Sequence, residues 1–311
     1  MIRGNIPKIW VLMSTYNGMT YIEEQIESIL SQKNCDVHLL VRDDGSTDAT
    51  LDILKSYEKK GSLTLISDNI NLGPAKSFLK LLEMAPDDGY YAFSDQDDYW
   101  NSDKLERALE MLTQAEENNM PLVYYSNSDV VDQNLNSTGK KVYSGKQKPT
   151  LERVLCGYGI QGCTMVLNKA LRDIFLSVDM SKERIGMHDF FLCDLCMVCG
   201  GKILYDDFAT MKYRQHESNV VGYDVNATRL NKIKKYINEI LKPANDSIAD
   251  DARLVLMFSD KMTEKGRNTA IKIERYKDDA FTRIWLACSI LMCGFEKKEL
   301  LKAVRILLKN A

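Results

Sequence analysis

The sequence predicts an α/β protein with a Rossmann-like sheet flanked by helices, followed by a helical C-terminal region. Three observations carry that prediction. Short runs rich in strand formers alternate with amphipathic runs of helical period up to about residue 125. Three polar clusters, Thr15-Tyr16-Asn17, Asp43-Asp44 and Asp95-Gln96-Asp97, each directly follow an apolar run. From about Asn226 onward the chain is rich in Lys and Leu and reads as mainly helical. Short β–α alternation implies a parallel sheet covered on both faces, and such sheets bind ligands beyond the carboxyl ends of their strands.

The elements follow in order. Ile9 to Ser14 is the first strand, and Thr20 with Glu23 has the spacing of a capping box ahead of Ile22, Ile26, Ile29 and Leu30. Val37 to Val41 is the second strand. Ser46, Thr47 and Asp48 supply helix-start chemistry before Leu51, Ile53 and Leu54. Leu63 to Ile66 is a third strand, and a helix follows Pro74. Tyr90 to Phe93 is a fourth strand, running into Ser94-Asp95-Gln96-Asp97-Asp98, with a helix over about 102–117 and a strand at Leu122 to Tyr125. Residues 127–165 read as irregular with short strands, and 168–178 and 189–199 as helical. Lys242-Pro243 interrupts the helical tail.

The 311 residues suffice for one large and one smaller unit, divided here as 1–222 (catalytic, ligand-binding) and 223–311 (helical). The longest apolar stretch, Ile284 to Phe295, is too short to span a bilayer. The polar Met1 to Lys8 does not read as a signal peptide, which leads to an expectation of a cytoplasmic location with reduced thiols. Cys193, Cys196 and Cys199 have a CxxCxxC spacing, read as a buried helix face rather than a metal site. The net charge of −3 is uneven: residues 226–311 carry +7 and the remainder −10. The acidic part suits a divalent cation. The basic tail, with its apolar stretch, suits the inner face of the plasma membrane, a solvated helical face, or packing on the catalytic part or a second subunit as a homodimer. An acidic body without a recognition motif excludes nucleic acid as a partner.

Two clusters bear chemistry. The carboxylates of Asp95-Gln96-Asp97-Asp98 are hard ligands suited to Mg²⁺ or Mn²⁺, although such pairs are commonly just solvated loop residues. Asp43-Asp44-Gly45-Ser46 reads either as a turn with a helix cap or as a carboxylate facing a nucleobase or ribose.

Taken together, Ser14-Thr15-Tyr16-Asn17, Asp43-Asp44-Gly45-Ser46-Thr47-Asp48, Asn71-Leu72-Gly73 and Asp95-Gln96-Asp97-Asp98, in this order and spacing, resemble family 2 of the inverting glycosyltransferases over roughly residues 8–220. Asn71-Leu72-Gly73-Pro74-Ala75-Lys76, Tyr99-Trp100, Gln161-Gly162-Cys163-Thr164, Met187-His188-Asp189 and Tyr213-Arg214-Gln215-His216 are similar to bacterial rhamnosyltransferases of cell-surface polysaccharide assembly. The resemblance implies a GT-A fold with a mixed sheet, a nucleotide-sugar donor (dTDP-L-rhamnose or a UDP-sugar) and a glycan or lipid-linked saccharide acceptor. It implies that Thr15, Tyr16, Asn17 and Asp44 line the nucleoside pocket, with Asp44 meeting the imide N–H of uracil or thymine. Lys76 would contact the nucleotide from the opposite side, and Asp95 the ribose. Asp97 would ligate the cation. His216 would share the metal or bond a phosphate, and Arg214 would offset charge. Asp189 would be the general base, with Gly162 on the substrate side and His188 positioning Asp189 or contacting the acceptor. Phe190-Phe191 stand where relatives often carry tryptophans. Two readings compete with rhamnosyl transfer: a UDP-hexose or UDP-N-acetylhexosamine donor on the same fold, and a non-catalytic nucleotide-sugar or glycan-binding module.

Overall fold

A computed structural model describes residues 7–216, 248–292 and 297–309. The first strand, β1 (Lys8–Thr15), pairs in parallel with β2 (Asp36–Asp43) and with β4 (Tyr90–Ser94), and β2 pairs in parallel with β3 (Thr64–Ser67). Ile9, Val11, Leu12 and Met13 are fully buried, as expected of a central strand covered on both faces. Its cover comes from helices α1 (Ile22–Leu30), α2 (Thr50–Lys59), α3 (Pro74–Met84) and α4 (Lys104–Ala115). The Thr20–Glu23 capping box does not form: the helix begins at Ile22 with no side-chain cap, and the Gly18 carbonyl takes the Tyr21 and Ile22 amides instead. At α2 the expected chemistry holds, with Asp48 accepting the Thr50 N–H at 3.0 Å.

Beyond β4 the sheet departs from the parallel reading. The two-residue β8 (Val166–Leu167) runs antiparallel to β4 and to β6 (Leu122–Val131), and β6 pairs in parallel with β9 (Lys202–Arg214). Among the described residues the order is β3-β2-β1-β4-β8-β6-β9-β5, with β5 (Tyr99–Trp100) antiparallel at the edge and β7 (Ser137–Lys141) on β6. The sheet is therefore mixed.

The longest of these strands, β9, has no counterpart in the sequence reading, because Asp206, Asp207 and Lys212 break its apolar pattern. Its register against β6 shifts between Ser126 and Asn127 and again before Asp129, an irregularity that re-aims side chains next to sites. The charge of Asp206 is neutralised within the fold: Arg107 donates to it at 2.8 and 3.0 Å and the Tyr124 hydroxyl at 3.1 Å.

A short helix α5 (Leu151–Leu155) and helices α6 (Lys169–Leu176) and α7 (His188–Val198) follow. The C-terminal segment contributes α8 (Ile248–Leu256), α9 (Glu264–Glu274), α10 (Ala280–Met292) and α11 (Lys297–Leu307). The expected boundary at 222/223 and the break at Lys242-Pro243 lie outside the described residues. The C-terminal helices do not enclose a separate core. Ile248, Ala252, Phe258, Leu286, Ile290 and Ile306 join Leu79, Phe191 and Leu195 in one apolar cluster. Phe258 is fully buried against Phe191, with ring centroids 6.1 Å apart. Burying one such side chain contributes roughly 1.5–3 kcal/mol, which fastens these helices to the back of α7. Cys193 and Cys196 lie in the same cluster. Among the described residues no helix is long and apolar enough to cross a membrane.

Candidate active site

The carboxyl ends of β1, β2 and β4 lie side by side in register: Thr15 faces Asp43, and Met13 faces Ser94. Each polar cluster read from the sequence therefore opens onto one edge of the sheet. The two aspartates after β2 divide the two readings between them. Asp43 locks the turn, accepting the Gly45 and Ser46 amides, the Ser46 hydroxyl at 2.6 Å and the Thr15 hydroxyl at 3.2 Å. Gly45 adopts φ +85°, a conformation that favours glycine, so the backbone can fold back over Asp43. Asp44 instead points along the edge. Its Oδ1 takes the Arg42 guanidinium and the Leu72 amide at 2.8 Å, whereas among the described residues Oδ2 takes the Gly73 amide alone, at 2.9 Å. Oδ2 thus retains acceptor capacity for a ligand N–H.

Arg42, absent from the sequence reading, is the fully buried cation that holds Asp44. It also donates to Ser77 at 3.1 Å, Asp68 at 2.8 Å and the Ile70 carbonyl at 2.7 Å. An arginine ending an apolar strand beside two aspartates was its only signal. Tyr16 is exposed. Its backbone is clamped by Gln96, which accepts the Tyr16 amide at 2.8 Å and donates to its carbonyl at 3.0 Å, tying the first polar cluster to the third. Asn17, at φ +51°, accepts the Thr47 amide at 2.8 Å and so joins the first cluster to the second. Lys76, near the start of α3, reaches across to the Ser181 carbonyl at 3.4 Å.

After β4, Asp97 meets His216, with Oδ2 and Nε2 2.9 Å apart and both side chains partly accessible. Two residues remote in sequence thus present a carboxylate oxygen and an imidazole nitrogen to one point, a donor set that fits a divalent cation. Asp95, Asp98 and Cys163 form a second close group. It lies deeper: Asp98 and Cys163 are buried, Asp98 accepts the Arg214 amide at 3.2 Å, and burial pushes both the Asp98 carboxyl and the Cys163 thiol well up toward their neutral forms. The Asp97–His216 pair is the more accessible of the two and so better placed for a cation that also meets a ligand.

Asp189 lies in the first turn of α7, where the helix N-terminus favours a carboxylate. Its Oδ2 accepts the Gly162 amide at 3.1 Å and its Oδ1 the Phe190 amide at 2.9 Å. Burial nonetheless pushes its carboxyl up to about 6. Asp95 is pushed up to about 7, first by burial and then by the charges of Asp97 and Asp189. Asp189 lies near Asp95: Gly162, which holds Asp189, adjoins Cys163, and the Cys163 thiol lies within 4.8 Å of the Asp95 carboxylate.

Two further candidates are enclosed by the fold. His188 is 4% exposed, stacked on Phe78 at 4.3 Å and edge-on to Phe93 at 4.9 Å. Burial drives its imidazole down to about 3, and neither ring nitrogen has a hydrogen-bond partner among the described residues. A methyl group on Gly162 would meet His188 Nε2 at 2.9 Å and Asp189 Oδ2 at 3.3 Å, so the glycine lets the Asp189 carboxylate approach the backbone. Arg214 is equally enclosed, at 2% exposed. Its guanidinium donates to the Asp97 carbonyl at 2.7 Å, the Gln133 carbonyl at 2.6 Å and Glu24 at 2.5 Å. Through the Asp97 carbonyl it holds the backbone of the third polar cluster.

Comparison with known proteins places this arrangement. Residues 10–175 match the family model described as Glycosyl transferase family 2. The dTDP-rhamnosyl transferase RfbG of Shigella flexneri is 30% identical over 77% of this chain and 86% of its own length. The Escherichia coli WfgD, a UDP-Glc:alpha-D-GlcNAc-diphosphoundecaprenol beta-1,3-glucosyltransferase, is 29% identical over 68% of this chain and 78% of its own. Among solved structures, Staphylococcus aureus TarS 1–349 in complex with UDP-GlcNAc superposes with a TM-score of 0.56 at 19% identity, covering 97% of this chain and 91% of that one.

Proposed function

We propose, from the premise that the chain belongs to glycosyl transferase family 2, that it is a metal-dependent inverting enzyme moving L-rhamnose from dTDP-L-rhamnose onto a lipid-linked saccharide of cell-surface polysaccharide synthesis. The observation that carries this reading is that Asp189 is held by the Gly162 amide, next to Cys163, whose thiol lies within 4.8 Å of the Asp95 carboxylate. One side of this arrangement offers a nucleotide site and a cation pair, the other a carboxylate whose basicity is raised by burial.

The nucleoside would lie over the edge formed by Thr15, Tyr16 and Asn17, with Asp44 Oδ2 accepting the imide N–H of thymine or uracil. Both sequence relatives named above carry pyrimidine nucleotide donors in their names. Asp95 would meet the ribose, and Lys76 would close on the nucleotide from α3. Asp97 and His216 would hold Mg²⁺ or Mn²⁺, which when bound offsets the charge of the departing diphosphate. An acceptor hydroxyl attacks the anomeric carbon from the face opposite the diphosphate. The C1–O bond to phosphate breaks, its electron pair leaving with the nucleoside diphosphate, and the hydroxyl proton passes to Asp189. Gly162 fixes the base through its amide, and Arg214 fixes Asp97 through its carbonyl.

Transfer of radiolabelled rhamnose from dTDP-L-rhamnose to extracted lipid-linked saccharides tests the reading, with UDP-glucose, UDP-galactose and UDP-N-acetylglucosamine as competing donors. Preferential transfer from a UDP-sugar would replace the rhamnosyl assignment. Donor binding without transfer or hydrolysis would leave a binding module. A peripheral membrane contact is supported by one observation: Phe281 and Met292 on α10 are 84% and 86% exposed, with Leu300 and Leu307 exposed on α11 and Leu308 just after it. Co-sedimentation with anionic vesicles that fails in Phe281→Ser/Met292→Ser would establish that contact.

A further inference from the structure

Resting on the transferase reading, we propose that a cavity between residues 142–159 and the last two helices is a sugar-binding subsite for the acceptor glycan, one unit away from the attacking hydroxyl. The cavity holds about 360 Å³ and is lined by Tyr143, Gln147, Arg153 and Tyr158 on one side and Glu299 and Lys302 of α11 on the other. That volume falls at the lower end of small-ligand sites, on the order of 300–1,000 Å³.

The walls have the chemistry of a carbohydrate site. Tyr143 and Tyr158 supply aromatic surface, and the Arg153 guanidinium lies 4.2 Å from the Tyr158 ring centroid. Arg153 and Glu299 are about nine-tenths buried and joined at 2.5 Å, yet Arg153 Nε and Glu299 Oε2 have no hydrogen-bond partner among the described residues. Buried polar atoms left in this state cost about 1–3 kcal/mol each, but both are closed off from the cavity, so a ligand would meet the half-buried Tyr143 and Gln147 instead. One Arg, one Lys and one Glu leave a single net positive charge.

The cavity adjoins the base through a short chain of contacts. Tyr143 Oη accepts the Gln161 amide at 2.7 Å and donates to the Gly159 carbonyl at 3.3 Å. Gln161 precedes Gly162, whose amide holds Asp189. A methyl group added at Gly159 would touch only the ring of Phe190, at 3.9 Å, the residue after the base. A glycan seated here lies beside Asp189 on the flank away from the nucleotide edge. The C-terminal helices then take part in acceptor choice through Glu299 and Lys302.

The test fills the cavity without touching the catalytic groups. Ser144→Trp starts from an exposed lining position and Gly159→Phe from an open one, and Gln147→Ala removes a polar contact. The full-length protein is probed by saturation-transfer NMR with methyl glycosides of L-rhamnose, D-glucose, D-galactose and N-acetyl-D-glucosamine, and by calorimetry with dTDP and UDP. At least one glycoside should bind the wild type and bind about tenfold more weakly, or not at all, in the two filling variants. Nucleotide affinity should stay unchanged in all three. Glycoside binding that survives both filling variants, or no binding by any of the four, overturns the proposal. Failure of the wild type to bind either nucleotide counts against the transferase reading instead, which separates the two outcomes. A melting temperature held within about 2 °C of wild type certifies folding; if one filling variant melts lower, the other together with Gln147→Ala decides.

Discussion

The two sides of the candidate site reach their geometry by different routes. On the nucleotide side, Thr15, Asp44 and Asp95 lie at the carboxyl ends of parallel strands, and backbone amides of the adjoining turns lock Asp43 and Asp44 in place. On the acceptor side, Asp189 starts a helix, takes its orientation from Gly162, which lies 27 residues earlier, and stands near a cavity completed by α11. The first side is set by local turn chemistry at strand ends. The second depends on segments far apart in the chain. Both sides hold a carboxyl that burial raises, Asp95 to about 7 and Asp189 to about 6. The sides differ in how their geometry is set, not in whether their charge is strained.

The largest test of that contrast is Asp189→Asn. Transfer should fall by about 10³-fold, while nucleotide affinity measured by calorimetry stays within twofold. The sign for stability is opposite. The folded carboxyl titrates above its ordinary value, so its ionisation costs stability as pH rises through about 6. Asparagine removes that penalty, and unfolding at pH 7 should cost roughly 2–3 kcal/mol more than in the wild type. In the wild type, kcat/KM should drop about tenfold per pH unit below about 6 as the base is protonated. A profile flat down to pH 5 would remove Asp189 from that role.

The next effect is at the cation pair. Asp97→Ala should lower transfer by about 10²-fold or more and abolish its response to a chelator. Chelator-insensitive activity in the wild type would detach Asp97 and His216 from metal binding. Arg42→Leu addresses the nucleotide side through its support. Leaving Asp44 buried without its cation should destabilise the fold by about 3–5 kcal/mol and raise donor KM, with acceptor KM unaffected. An equal rise in both would contradict the division of the site. The smallest effect belongs to His188→Phe. A neutral ring packed on Phe78 and Phe93 with two unpartnered nitrogens should be replaced at a change within about 1 kcal/mol, and acceptor KM should not move.

The sequence by itself determined the β–α alternation through residue 125, because burial of a central parallel strand writes a short apolar run and its polar C-terminal turn in adjacent positions. Thr15, Asp44, Asp95 and Asp97 were legible for that reason, and Asp189 and His216 through motif resemblance. Tertiary structure decided what depends on pairing across the chain. The strand at Lys202–Arg214 hides its pattern because its charges are neutralised by Arg107 and accommodated at register shifts that no local window contains. The same distance hid the buried arginines: Arg42 and Arg214 act by gathering carbonyls and carboxylates from several loops. It also turned His188, which shares a motif with Asp189, into a core ring. A side chain's neighbours in sequence fix its chemistry, but its solvation is fixed by residues that only folding brings near.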